Sequence, residues 1–172
     1  MIGERDFMSS ENKRVSTYCN YLGKKYPVIA VVNKDIKKPT IKFEKGEFIC
    51  ECPSPGPVEL YEPLKSFYMK AAKKYIDKRL RYYQKEFKEK YKSYTITNDD
   101  RKWGSCDSKR NLTFNWKLMM FPENAIDYVI VHELCHLSHM NHDRSFWRLV
   151  GKHCPTYKED MKIIGAEKTR GL

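Results

Sequence analysis

The sequence predicts an α+β fold: a small N-terminal antiparallel sheet, a long basic helix, then a hairpin and a histidine-bearing helix with further helices behind it. Three observations carry this. Short runs of β-formers separated by turn residues occupy the first third of the chain, a three-to-four-residue apolar period replaces them near residue 60, and four histidines fall within residues 132–142. With 172 residues, 41% of them hydrophobic, the chain has material for one ordinary domain over 1–172 and is not a disordered or collagen-like polymer.

A polar leader over 1–13 is expected to be flexible, and a β-rich part over 14–58 follows it. Val28-Ile29-Ala30-Val31-Val32, Thr40-Ile41-Lys42-Phe43 and Phe48-Ile49-Cys50 read as strands, with turns at Asn33-Lys34-Asp35 and Lys45-Gly46-Glu47. Pro53-Ser54-Pro55-Gly56-Pro57 ends them. From about 60 to 91, Leu64, Tyr68, Ala72, Ile76, Leu80, Tyr83 and Phe87 set one apolar stripe along a long helix. Residues 65–92 also hold +8 of the net charge of +11, and Tyr61, Tyr68, Tyr75 and Tyr82 recur every seven residues among the lysines. That basic face suits association with DNA or RNA, and equally suits a solvated face whose lysine stems cover apolar surface.

The catalytic part is expected over 93–172. Tyr94–Thr97 and the alternating Leu112–Trp116 read as two strands, with the polar run Asp107–Asn111 closing the loop between them. Pro122-Glu123-Asn124 opens a helix with Ile126, Ile130, Leu134 and Leu137 on its buried side, and another helix is expected from about Asp143 to His153. There is no apolar stretch near the length of a membrane span and no secretory-type apolar run at the start, which predicts a cytoplasmic protein without membrane contact. The six cysteines form no C-x-x-C pair and read as free thiols.

His132-Glu133-Leu134-Cys135-His136 is an H-E-x-x-H motif on the predicted helix. Residues i and i+4 lie about 40° apart around a helix and ~6 Å along it, so two imidazoles can share one cation. Glu133, rotated ~100° from His132, is placed to act as general base on a water held by the metal. A third protein ligand is then required. His139 would sit ~10 Å from His132 along a continuing helix, too far for one tetrahedral site. His142 serves if the chain reverses at Met140-Asn141, Asn being tolerant of the left-handed conformation, while Glu159 would give a two-His, one-carboxylate site. His142 is the preferred reading. His139, His153 and Tyr157 are candidates to stabilise the oxyanion.

Arg101-Lys102-Trp103-Gly104-Ser105-Cys106, Asn111 to Leu118, Ile126 to His136, Asn141-His142 and Phe146-Trp147 together resemble the YgjP-like zinc metallopeptidases, small zincins related to WLM and SprT-type proteases. The likeness is dense over 101–150 and general before it. Lys102 stands where the resemblance leads one to expect Arg, and Asp107 where it leads one to expect Ser. It implies one Zn²⁺ on His132, His136 and His142, Glu133 as base, and a polypeptide substrate. It also implies that the strand before the metal helix is an edge onto which substrate adds, and Leu112, Thr113, Phe114, Asn115 and Trp116 are the expected stretch. Two other readings remain. YbeY-type endoribonucleases share the 0, +4, +10 histidine spacing but usually carry Gly at the position of Glu133, and a structural zinc site would make the chain a nucleic-acid- or partner-binding module.

Overall fold

The computed structural model describes residues 14–168, so the leader over 1–13 lies outside the described residues. The described residues form two compact units, one of 14–19 and 26–64, the other of 20–25 and 65–168.

The first unit is built on a four-stranded sheet in the order β1 (Arg14–Tyr21), β2 (Lys24–Val32), β4 (Glu47–Cys52), β3 (Thr40–Glu44). The expectation of an antiparallel sheet is corrected here. β3 and β4 do form an antiparallel hairpin, but β2 runs parallel to β4, Val28 opposite Phe48 and Val32 opposite Cys52. The hairpin turns through Lys45 and Gly46, both at positive φ (49° and 81°), the two-residue geometry that matches strand twist. β2 therefore meets β4 only after a separate excursion over 33–39. Val28, Phe48, Cys50 and Cys52 are buried, and Tyr26 and Phe43 stack edge-on at 4.8 Å.

The long helix α1 (Tyr61–Tyr83), which belongs to the second unit from Lys65 onward, buries Tyr68, Ala72, Ile76 and Leu80, one residue per turn. It stops eight residues short of the predicted 91, through a 3₁₀ turn over Gln84–Glu86. The Gln84 side chain folds the chain back, its Nε2 donating to Glu89 O (2.8 Å) and its Oε1 accepting from Tyr91 N (3.2 Å), while Phe87 turns inward against His153. The heptad tyrosines do not share one environment: Tyr68 is buried, stacks on Trp116 at 5.6 Å and donates its hydroxyl to Asn20 O (2.5 Å), whereas Tyr61 and Tyr82 are exposed.

A three-stranded sheet follows in the order β5 (Ser93–Thr97), β7 (Asn111–Asn115), β6 (Gly104–Cys106). The two strands predicted as neighbours across a loop are parallel, and the hairpin partner of β7 is β6, a strand too short to show a β pattern in sequence. The polar run closes that hairpin: Asp107 Oδ1 accepts from the N–H groups of Lys109 and Asn111 (2.9 and 2.8 Å), and Arg110 takes φ 63°. Trp116 is not in the strand. It begins a 3₁₀ helix over Trp116–Met120 that Asn115 caps through Lys117 N (2.8 Å).

Three helices complete this unit: α2 (Glu123–Cys135), α3 (Arg144–His153) and α4 (Tyr157–Lys168). Nine of the thirteen residues of α2 are buried, so it forms the centre of the core. Asp127 on α2 receives Arg79 of α1 through two guanidinium nitrogens, and Tyr83 donates to the same carboxylate (3.1 Å). Asp160 of α4, wholly buried, is satisfied by Asn124 and by Thr156 Oγ1 (2.8 Å), which ties α4 to the start of α2. No helix among the described residues is long and apolar enough to cross a membrane.

Candidate metal centre

The last turn of α2 presents His132 on its inner face, and the helix ends at once: His136 is its C-cap, with φ −66° and its N–H still bonded to His132 O (3.3 Å). Leu137, Ser138 and His139 donate to the carbonyls of Leu134 and Cys135 in tight turns, and the chain reverses to bring His142 back over the helix end. The reversal needs no left-handed residue. Among the described residues the non-glycine positive-φ positions are Leu22, Lys45 and Arg110, not Asn141. Shortening the helix does the work that the sequence reading gave to a left-handed asparagine.

His142 Nε2 lies 3.0 Å and His136 Nε2 3.2 Å from His132 Nε2, and a ligand atom from each of the three falls within 4.8 Å of the others. Ligands held at about 2.0–2.1 Å from a tetrahedral ion stand about 3.3 Å apart, and His132 Nε2 lies near that spacing from the other two nitrogens, so the three converge as donors to one small cation would. Among the described residues this is the grouping of metal-binding side chains; Glu159, Cys106 and His153 are outside it. His153 instead stacks on Phe87 at 4.6 Å with its Nε2 buried and unpartnered.

The tautomer of His136 is fixed by the main chain. His136 Nδ1 sits 2.9 Å from the carbonyl of His139, which can only accept, so the proton is on Nδ1 and the lone pair on Nε2 faces the cluster. His139, set aside as a ligand, thus contributes its backbone oxygen, and its ring bonds Ser145 Oγ at 3.1 Å. Asp143 accepts from Ser145 Oγ (2.6 Å) and caps α3 through Phe146 N (2.9 Å), anchoring the loop that carries His142. Phe146, fully buried, touches all three imidazoles, with centroids 4.9, 4.7 and 4.7 Å from His132, His136 and His142. Trp147 stacks on His142 at 5.7 Å, and Tyr157 stacks behind Trp147 at 5.5 Å. In the sequence Phe146-Trp147 stood out as part of the family resemblance, but spacing alone did not show that these rings pack on the histidines.

Burial, reinforced by His136 and His142, lowers the pKa of His132 to about 3, and burial lowers that of His136 as well. Both rings stay neutral, the form that binds a metal. Glu133 lies on the adjacent face of α2 against β6, 6% exposed, with no hydrogen bond to its carboxylate among the described residues. Burial pushes its pKa up to about 8, and the charge of Lys102 opposes that rise. Cys106 is pushed up to about 11 by burial and by the charges of Glu133 and Asp107, so it stays a thiol.

The predicted substrate strand is placed differently. β7 is the central strand, paired with β5 on one side and β6 on the other, and Leu112, Phe114, Asn115 and Trp116 are buried, while Thr113 Oγ1 bonds Ser105 Oγ at 2.6 Å. It has no edge to offer. Among the described residues the unpaired edge beside Glu133 is β6. Asn115 N donates to Trp103 O (2.8 Å) and Asp107 N to Asn111 O (3.1 Å), so by ladder alternation the peptide groups of Gly104 and Cys106 face away from β7.

Three convergent imidazoles beside a buried carboxylate and a strand edge unpaired among the described residues are the parts of a metal-assisted hydrolase. Among solved structures the chain is similar to the metallopeptidase zymogen of Pyrococcus abyssi abylysin, 18% identical with a TM-score of 0.44, over 51% of this chain and 91% of that one. Nothing among curated proteins matches. Residues 4–165 match the YgjP-like metallopeptidase domain, and the chain belongs to that family.

Proposed function

We propose that the chain is a zinc-dependent peptidase in which His132, His136 and His142 hold the ion through Nε2 and Glu133 is the general base. The 3.0 and 3.2 Å approach of the three Nε2 atoms carries this reading. Bound there, zinc supplies Lewis-acid polarisation of a carbonyl and makes water acidic enough to be deprotonated near neutral pH. Glu133 takes that proton and returns it to the leaving amine, and the adjacent dication counters the burial that raises its pKa. An extended polypeptide pairs with the outward peptide groups of Gly104 and Cys106, which sets its backbone beside the base. Six free cysteines support a reducing, cytoplasmic setting. The test is Glu133→Gln: zinc content of one per chain and loss of peptide cleavage by at least about 10³-fold support the assignment, and an active Glu133→Gln contradicts it.

A second interaction rests on α1 and the turn that follows it. Lys70, Lys73, Lys74 and Lys78 on the helix and Lys85 in the turn are exposed and make no ion pair among the described residues, whereas Arg79 and Arg81 are paired with Asp127 and Asp77. Such a stripe fits the phosphate backbone of DNA or RNA. Binding to a mixed-sequence oligonucleotide should weaken steeply with salt, and a salt-independent affinity or none at low salt contradicts it.

A further inference from the structure

We infer that Gly104 is the positioning residue of Glu133: its missing side chain is the space in which the carboxylate sits. This rests on the peptidase reading above. Gly104 is not among the positive-φ glycines, so its backbone is open to any residue and conformation does not explain it. Space does. A Cβ built there would lie 2.8 Å from Glu133 Cγ, 2.8 Å from Oε1 and 3.1 Å from Cδ, and these are its three nearest atoms. The collision is with one side chain and with no backbone.

Glu133 is buried and has no hydrogen bond among the described residues, so its position is set by packing. A methyl group at 104 is relieved by swinging the carboxylate away rather than by moving a strand, which transfers the effect from the fold to the base. The same residue turns its peptide groups to the open edge of β6. One glycine therefore lets the base and the docking edge occupy adjoining space, and it gives the Trp103-Gly104-Ser105-Cys106 segment a chemical reason.

The experiment combines cleavage of a quenched fluorescent peptide that the zinc-loaded parent hydrolyses with thermal unfolding of the metal-free proteins. Gly104→Ala should keep one zinc per chain and a KM within about 3-fold, and lose kcat by about 100-fold, the scale of a 1 Å misplacement. Glu133→Asp, whose carboxylate is shorter, should lower cleavage in the parent and raise it in Gly104→Ala. Without metal, Gly104→Ala should lower Tm by about 4 °C when Glu133 is present and by under about 1 °C in Glu133→Ala. Parental kcat in Gly104→Ala, or an equal Tm loss in both backgrounds, overturns the inference. If Gly104→Ala alone does not fold, recovery of a folded Gly104→Ala/Glu133→Ala protein supports it and failure of both overturns it. A parent that binds zinc and cleaves no peptide removes the peptidase reading, while the thermal coupling of 104 to 133 still decides the positioning claim.

Discussion

The two faces of the final turn of α2 are built by opposite means. On one, the imidazoles of His132 and His136 are held by attraction: Phe146 beneath both, the His139 carbonyl behind His136 and Trp147 against the returning His142. On the other, Glu133 is held by close packing, buried against Gly104, which offers no side chain, and without a hydrogen bond to its carboxylate among the described residues. Ligands need fixed directions, which rings and hydrogen bonds supply. In the proposed mechanism Glu133 must accept and return a proton, and no neighbouring donor among the described residues competes for its carboxylate.

On the proposed zinc assignment, removing a ligand breaks the first face outright. His132→Ala should lose stoichiometric zinc and all cleavage above background, checked by metal analysis and peptide assay. Phe146→Ala removes the shared support. It should cost about 3–5 kcal/mol and lower Tm by about 10 °C, with zinc affinity, measured by chelator competition, down about 10–100-fold.

The second face responds to pH instead. A carboxylate whose folded pKa is raised to about 8 from 4.5 contributes stability that is fully present below pH 4.5 and is lost as pH rises through 8. In metal-free protein, Glu133→Gln should therefore raise Tm by several degrees more at pH 9 than at pH 4.5, and a pH-independent effect would show the carboxylate to be solvated. The smallest effect is expected at Ser145→Ala, which frees the His139 ring but leaves the carbonyl bond to His136 in place: about 1 kcal/mol of stability by denaturant unfolding, with zinc content unchanged.

The helix-borne part of the site was legible because a helix repeats rigidly: His132, Glu133 and His136 take their relative directions from spacing alone. His142 was readable from spacing plus a needed reversal, though the reversal itself is made by early helix termination rather than by Asn141. The sheet was less readable. β2 and β4, like β5 and β7, are parallel partners, and parallel pairing is set by long connections that leave no local signal. Strong β-formers in β7 marked the buried centre of the sheet, while the edge went to three small residues, Gly104, Ser105 and Cys106, that carry no strand pattern. The break in α1 at Tyr83 was hidden because Phe87 continues the apolar period across a turn.

The most direct test of the metal centre is X-ray absorption at the zinc edge of the loaded, full-length protein. The account predicts three imidazole nitrogens at about 2.0–2.1 Å and no sulfur, all lost together in a protein lacking the three histidines. Sulfur scattering at about 2.3 Å, or a zinc environment unchanged by His142→Ala, would contradict it.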